Sequence, residues 1–326
     1  MNMPKLFLFL LSTTLFFGQQ LSGQQLGTGS PLADETDFLS NPAITAADRI
    51  TTISAGITSE WLGFNDAPTT LFAAGQLAIK NQPISLGLFV ESDEFLPFTQ
   101  RSVGLTYAYH LGGYGRKIGN GKRSFSGQRK RGQLSIGLST AFRQTAFDPR
   151  NLVSSDPTDQ LFPAGSEMNS TSPVIGAGVY YLSALSGPEG KSFGSLGLAF
   201  RQIIDFTEEN SDDFAGLPQD LHGNLVLRYH HEASDFILKP QLRLDFAANS
   251  PSSARFTIIA ERAARYWGGL SYNINQSIAL QTGYVISPKN SDNQLRIGAL
   301  GTFNMGSAVS DRGLGYSAFL AYRLRK

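Results

Sequence analysis

The stretch Leu134-Ser135-Ile136-Gly137-Leu138-Ser139-Thr140-Ala141-Phe142-Arg143 (LSIGLSTAFR) alternates without a break. In an extended chain, Leu134, Ile136, Leu138, Thr140 and Phe142 share one face. Ser135, Gly137, Ser139, Ala141 and Arg143 share the other. A helix would scatter both sets around its circumference, so the period of two specifies a strand. The pattern returns along the chain. Val103, Leu105, Tyr107 and Tyr109 are interleaved with Gly104, Thr106 and Ala108. Ile278, Leu280, Thr282, Tyr284 and Ile286 alternate with Ala279, Gln281 and Gly283, and Leu314, Tyr316, Leu320, Tyr322 and Leu324 with Gly315, Ser317, Ala321 and Arg323.

The second face decides between two all-β architectures. A soluble sandwich would show water Lys, Glu and Thr there. This chain has mostly Gly, Ser and Ala with scattered Arg, which suits a crowded barrel interior. Many segments run to about ten residues, the length a tilted strand needs to cross a bilayer. Composition agrees: charged residues are 16%, aromatics 11% and glycines 34 in a chain of 326. The mean hydropathy of -0.12 excludes a bundle of apolar helices, whereas a barrel strand puts only every second residue in lipid. A net charge of +1 argues against a nucleic-acid partner.

The N-terminus reads as a targeting segment. Lys5 is followed by the apolar run Leu6 to Phe17, too short to span a bilayer. Small residues at Gly18, Ser22 and Gly23 place cleavage near Gly23–Gln24, with Gly18–Gln19 as the alternative. The expected organisation is a signal peptide over 1–23, a polar segment over 24–49 and a transmembrane antiparallel barrel over 50–326. Fourteen strands are predicted, at 50–61, 69–80, 83–92, 100–110, 131–146, 173–184, 193–203, 221–231, 235–246, 254–261, 264–273, 276–286, 293–305 and 314–325. An even count leaves both ends periplasmic.

This numbering sorts the connections by side. Periplasmic ones are expected to be short, as at Asn81–Gln82 and His231–Ser234. The exception is 116–131, where Arg116, Lys117, Lys122, Arg123, Arg129, Lys130 and Arg131 stand without an acid. Outer loops are expected to be acidic, with Glu91, Asp93 and Glu94 in one, Asp148, Asp156, Asp159 and Glu167 in the longest, and Glu208, Glu209, Asp212, Asp213 and Asp220 in a third.

Two phrases carry a family resemblance. Phe38-Leu39-Ser40-Asn41-Pro42-Ala43 precedes the first strand, and Trp61-Leu62-Gly63-Phe64-Asn65-Asp66-Ala67-Pro68-Thr69-Thr70 follows it. With Leu238-Lys239-Pro240 and Tyr266-Trp267-Gly268-Gly269-Leu270-Ser271-Tyr272, they make the chain resemble the PorP/SprF family of type IX secretion and gliding-motility membrane proteins. The resemblance implies a barrel that serves secreted cargo or adhesins with a type B C-terminal domain. It also implies partnership with periplasmic lipoproteins and with a peptidoglycan-linked secretion or motor ring.

Each candidate site has two readings. Asn41, Pro42 and Ala43 belong to a segment too polar to add a strand, which either folds into the lumen as a plug or hangs as a periplasmic tail. The plug is preferred, because an open lumen of fourteen strands would leak. Trp61, Gly63, Ala67, Pro68 and Thr69 form either an interfacial girdle and turn or a rim that receives cargo. The seven cations of 116–131 are either a solvated face or a grip on an acidic periplasmic protein or lipid phosphates. The acidic loops are either solvated, bridged to lipopolysaccharide through divalent ions, or a calcium site. His110, His222, His230 and His231 show no metal-ligand spacing and there is no Cys, so neither an enzyme nor a cofactor is expected. Arg143, Arg201, Arg228, Lys239, Arg243 and Arg296 should face a polar lumen. That favours docking over the alternative, a fatty-acid-porter-like channel for small hydrophobic molecules.

Overall fold

The computed structural model describes residues 35–62, 67–95, 97–112, 132–148, 168–186, 192–201, 221–233, 236–247, 253–262, 265–274, 277–288, 292–305 and 313–324. One helical turn, α1 (Asp37–Ser40), and a 3-10 turn (Pro42–Ile44) precede the strands. Then come β1 (Thr51–Leu62), β2 (Thr69–Ala78), β3 (Ile84–Phe95), β4 (Phe98–Gly112), β5 (Gln133–Phe147), β6 (Met168–Leu182) and β7 (Ser192–Arg201). The second half is β8 (His222–Ala233), β9 (Phe236–Ala247), β10 (Ser253–Arg262), β11 (Tyr266–Asn273), β12 (Ser277–Ile286), β13 (Gln294–Asn304) and β14 (Leu314–Leu324). Each strand pairs antiparallel with its neighbours in sequence, and β1 closes the cylinder against β14. Closure removes the edges, which is what lipid demands of a sheet. No helix among the described residues is long and apolar enough to cross a membrane.

Alternation sets the two faces. Leu105, Leu138, Leu270, Leu280 and Leu320 are exposed on the outer wall, while Ser85, Ser135, Ala199 and Ala321 are 0% exposed. The interior is less uniformly small than the sequence suggests. Phe72, Trp267 and Phe319 point inward and pack in one cluster. Glycines opposite make the room: a Cβ on Gly56 would strike Phe72, and one on Gly298 would strike Phe319 and Trp267. Proline is accommodated at a ladder gap. Pro240 lies within β9, and the β8–β9 register is interrupted between Arg228–Gln241 and His231–Leu238, where its missing N–H would have paired.

All fourteen strands fall where alternation placed them, with three corrections. Glu91, Asp93 and Glu94 are not in a loop. They belong to β3 and pair with Ser102, Gln100 and Thr99. The β3–β4 connection is tight, with Phe95 and Phe98 stacked at 5.6 Å. β6 begins at Met168 rather than 173, because Ser170, Thr171 and Ser172 continue the ladder on Thr145, Gln144 and Arg143. β8 runs on to Ala233, so the following connection is shorter than His231–Ser234. Of the other outer acids, Asp148 is described. Asp156, Asp159, Glu167, Glu208, Glu209, Asp212, Asp213 and Asp220 lie outside the described residues, as do 1–34.

Candidate functional site

Residues 35–50 run inside the barrel, against the half nearest the chain termini. Asn41, Pro42 and Ala43 are fully buried. Asn41 caps the 3-10 turn, its Oδ1 accepting from Ala43 N at 3.0 Å. Its Nδ2 donates to the Val179 carbonyl at 3.2 Å. Both ends of one amide are thus used, one on the segment and one on the wall. A side-chain cap of this kind is worth about 1 kcal/mol. Thr45 Oγ1 donates to the Pro42 carbonyl at 2.7 Å and lies 2.8 Å from Thr106 Oγ1.

The wall is shaped to receive this turn. A Cβ on Gly137 would collide with the backbone of Pro42 and Ala43, and one on Gly178 would collide with Asn41 Oδ1. A Cβ on Gly87 would strike Thr106 Oγ1 and crowd Phe38 and Thr45 at 3.1 and 3.2 Å. Three strands, β3, β5 and β6, therefore lack a side chain where the segment touches them. Phe38 packs on the Phe72–Trp267–Phe319 cluster. Burial of one such ring contributes about 1.5–3 kcal/mol.

Charge fixes the start of the segment. Glu35 Oε1 lies 2.9 Å from Arg296 Nε and 2.9 Å from Arg323 Nη2, and Oε2 accepts from Arg323 Nε at 3.0 Å. The Arg296 contact is a close ion pair without hydrogen-bond alignment, since Arg296 Nε and Glu35 Oε1 make no aligned hydrogen bond. Arg296 also reaches Glu261 at 3.2 Å, which Lys239 contacts at 3.2 Å. Arg228 pairs with Asp37. Asn224 Nδ2 donates to the Ser40 carbonyl at 2.9 Å. Ion pairs this dry recover little net stability after desolvation, and their effect is to fix position. At the far end of the segment, Arg49 donates to the carbonyls of Ile79, Gln82 and Ile84 at the β2–β3 turn. Ala46 and Arg49 take positive φ of 42° and 64°. Ala46 N is held there by Gln76 Oε1 at 2.6 Å.

The opposite half of the interior is polar. Glu91 faces Arg201 and Arg143, Glu60 faces Arg255, and Arg243 pairs with Asp245 at 2.8 Å. Thr70 donates to Asp93 at 2.7 Å. Beside the N-terminal segment a cleft of about 160 Å³ remains, bounded by Ile44, Leu182, Phe193, Ile237, Lys239 and Glu261.

Arg228, Lys239 and Arg296, predicted to face the lumen, do so in this seat, whereas Trp61, Ala67, Pro68 and Thr69 lie apart from it. Trp61 is the next-to-last residue of β1, at the outer rim with φ 59°, within a register shift between Ser59 and Leu62. Thr69 Oγ1 donates to the Ala67 carbonyl at 3.2 Å, and the Pro68 carbonyl accepts from Glu60 N at 3.0 Å. Gly63 and the seven cations at 116, 117, 122, 123, 129, 130 and 131 lie outside the described residues. No group of His, Asp and Glu among the described residues is placed to hold a metal. Sequence reasoning missed Glu35 and Asp37 as wall contacts. The available signal was an acidic run, Asp34 to Asp37, ahead of strands whose inward face carries arginine.

Three comparisons bear on identity. No curated protein matches the chain. Among solved structures, a mutant of the TodX monoaromatic hydrocarbon channel lacking S2 and S3 has a TM-score of 0.52 at 9% identity, over 90% of this chain and 95% of that one. The ΔS2 mutant of the same channel gives 0.51 at 9% identity, over 90% and 94%. A Pseudomonas aeruginosa FadL homologue gives 0.46 at 11% identity, over 89% and 94%. At such identities the two TodX likenesses are of fold alone, that of an outer-membrane barrel, and together with the family match that follows they make the protein an outer-membrane protein. The model for the type IX secretion system membrane protein PorP/SprF matches residues 34–322. That match begins at the segment carrying the buried Asn41-Pro42-Ala43 turn and ends within β14, so the chain belongs to the PorP/SprF family of type IX secretion system membrane proteins.

Proposed function

We propose that this barrel acts by docking. It holds a secreted cargo or adhesin through a type B C-terminal domain at the outer face. It couples that protein to periplasmic components, a lipoprotein or the peptidoglycan-linked secretion or motor ring. In this reading residues 35–50 are a plug, Trp61, Gly63, Ala67, Pro68 and Thr69 form a rim for cargo, and the cations of 116–131 face the periplasmic partner. The observation that carries it is the seat of Asn41-Pro42-Ala43, whose glycine wall and buried ion pairs suit a segment that stays in place. A lumen occupied in this way serves as a platform rather than a path.

The cleft beside Ile44, Leu182 and Phe193 supports a second reading, passage of a small hydrophobic molecule. Planar-bilayer conductance and uptake of a hydrophobic solute into proteoliposomes separate the two. Docking predicts neither above the protein-free background. A steady pore, or saturable uptake, would support the channel instead.

A further inference from the structure

The terminal-side rim of the outer wall carries a basic and aromatic cluster that no other contact explains. Arg262 closes β10 and pairs in register with Phe236 of β9 and Tyr266 of β11, and Tyr266 pairs with Tyr284 of β12. All three rings are on the lipid-facing side, with Phe236 52%, Tyr266 44% and Tyr284 54% exposed. The Arg262 guanidinium lies 5.7 Å from the Phe236 ring centre and 5.8 Å from that of Tyr266. Its Nη1 donates to Tyr266 Oη at 2.7 Å. Arg265 stands three residues on, its N donating to the Arg262 carbonyl at 2.9 Å, and is also exposed. Glu261, next to Arg262, points inward and is committed to Lys239 and Arg296. Among the described residues no carboxylate pairs with Arg262 or Arg265. Exposed apolar side chains of β9, β10 and β11, Leu238, Ile258 and Leu270, continue the patch into the hydrocarbon zone.

We infer that Arg262 and Arg265, with the Tyr266 hydroxyl, form a site for the phosphate of an anionic phospholipid in the periplasmic leaflet. The chemistry fits at both ends. Two guanidiniums offer forked donors to phosphate oxygens, and the rings hold the first guanidinium at interface depth as an aromatic girdle does. Acyl chains would lie along Leu238, Ile258 and Leu270. A soluble acidic protein matches the charge but not the apolar continuation. The inference depends on the membrane placement of the barrel and not on the docking proposal.

Native mass spectrometry of the full-length chain in detergent, titrated with phosphatidylglycerol and with phosphatidylcholine, tests it. R262A/R265A should bind phosphatidylglycerol about thirtyfold more weakly, and R265A alone about fivefold, while phosphatidylcholine binding is unchanged. R101A removes an exposed arginine from the opposite rim and should behave as wild type. Heat-modifiable migration on gels reports folding of each variant, and R265A keeps the ring contacts of Arg262 should the double variant fail to fold. Equal phosphatidylglycerol binding by wild type and R265A would overturn the site. So would full competition by inorganic phosphate at the lipid concentration, which would mean a site for the free anion.

Discussion

Glu35 and Arg296 meet at 2.9 Å inside the barrel, one on the N-terminal segment and the other on β13. Arg323 shares the same carboxylate, and Glu261 takes the rest of the Arg296 charge. Removing Glu35 takes away the buried carboxylate that Arg296 and Arg323 share. Breaking a buried pair from one side costs on the order of 3–5 kcal/mol. Glu35→Ala should therefore loosen the segment while the closed sheet remains. The chain has no cysteine, so a single Ala43→Cys provides a clean reporter at a residue 0% exposed. Maleimide should label Ala43→Cys slowly alone and at least tenfold faster with Glu35→Ala. Equal rates would mean that the ion pair does not hold the segment.

The glycine seat makes a steric prediction. Gly137→Ala should displace the segment, because the new methyl meets the Pro42–Ala43 backbone, which cannot rotate away. Gly75→Ala is the matched control, since its Cβ would meet only the Thr52 carbonyl at 3.9 Å. Both variants should fold by heat-modifiable migration, and only Gly137→Ala should expose a cysteine at position 43. Protection in both would show that the seat is not tight.

Asn41 separates its two hydrogen bonds. Asn41→Asp keeps the acceptor for Ala43 N and loses the donor to Val179 O, whereas Asn41→Ala loses both. Loss of a cap costs about 0.5–2 kcal/mol and each ordinary hydrogen bond about 1. Labelling rates should rise in the order wild type, Asn41→Asp, Asn41→Ala. Aspartate labelling faster than alanine would show that an unpaired buried charge outweighs the cap.

The basic segment 116–131 is tested by neutralising Arg116, Lys117, Lys122, Arg123, Arg129, Lys130 and Arg131 together. The barrel should fold as before and lose a co-purifying periplasmic protein. Retention of the same protein by the neutralised chain would contradict the assignment.

The strands were legible because lipid imposes a local rule: every second residue is apolar, and the rule repeats at each crossing. Leu134 to Arg143 suffices to see it. Glu91 and Asp93 keep the inward register of β3, but Ser92 and Glu94 end its apolar outward set, so the local pattern reads as loop. A strand that faces a polar lumen carries charge beyond the bilayer core, and Arg143 and Arg201 across the barrel could not be seen from the local pattern. The seat was illegible for a related reason. Gly137 and Gly178 look like ordinary small residues of an inward face. Their meaning depends on Asn41, far away in sequence, and on a register that only the closed sheet supplies. Phe72, Trp267 and Phe319 were equally ambiguous, since aromatics at strand positions suit a girdle as well as a packed interior.

The central claim is that the barrel holds a protein rather than passing a solute. Affinity purification of the tagged chain from native membranes tests it most directly. A large surface protein should be retained with the barrel and lost when its C-terminal domain is deleted. A barrel recovered alone under conditions that preserve membrane complexes, or a surface protein retained without that domain, would contradict it.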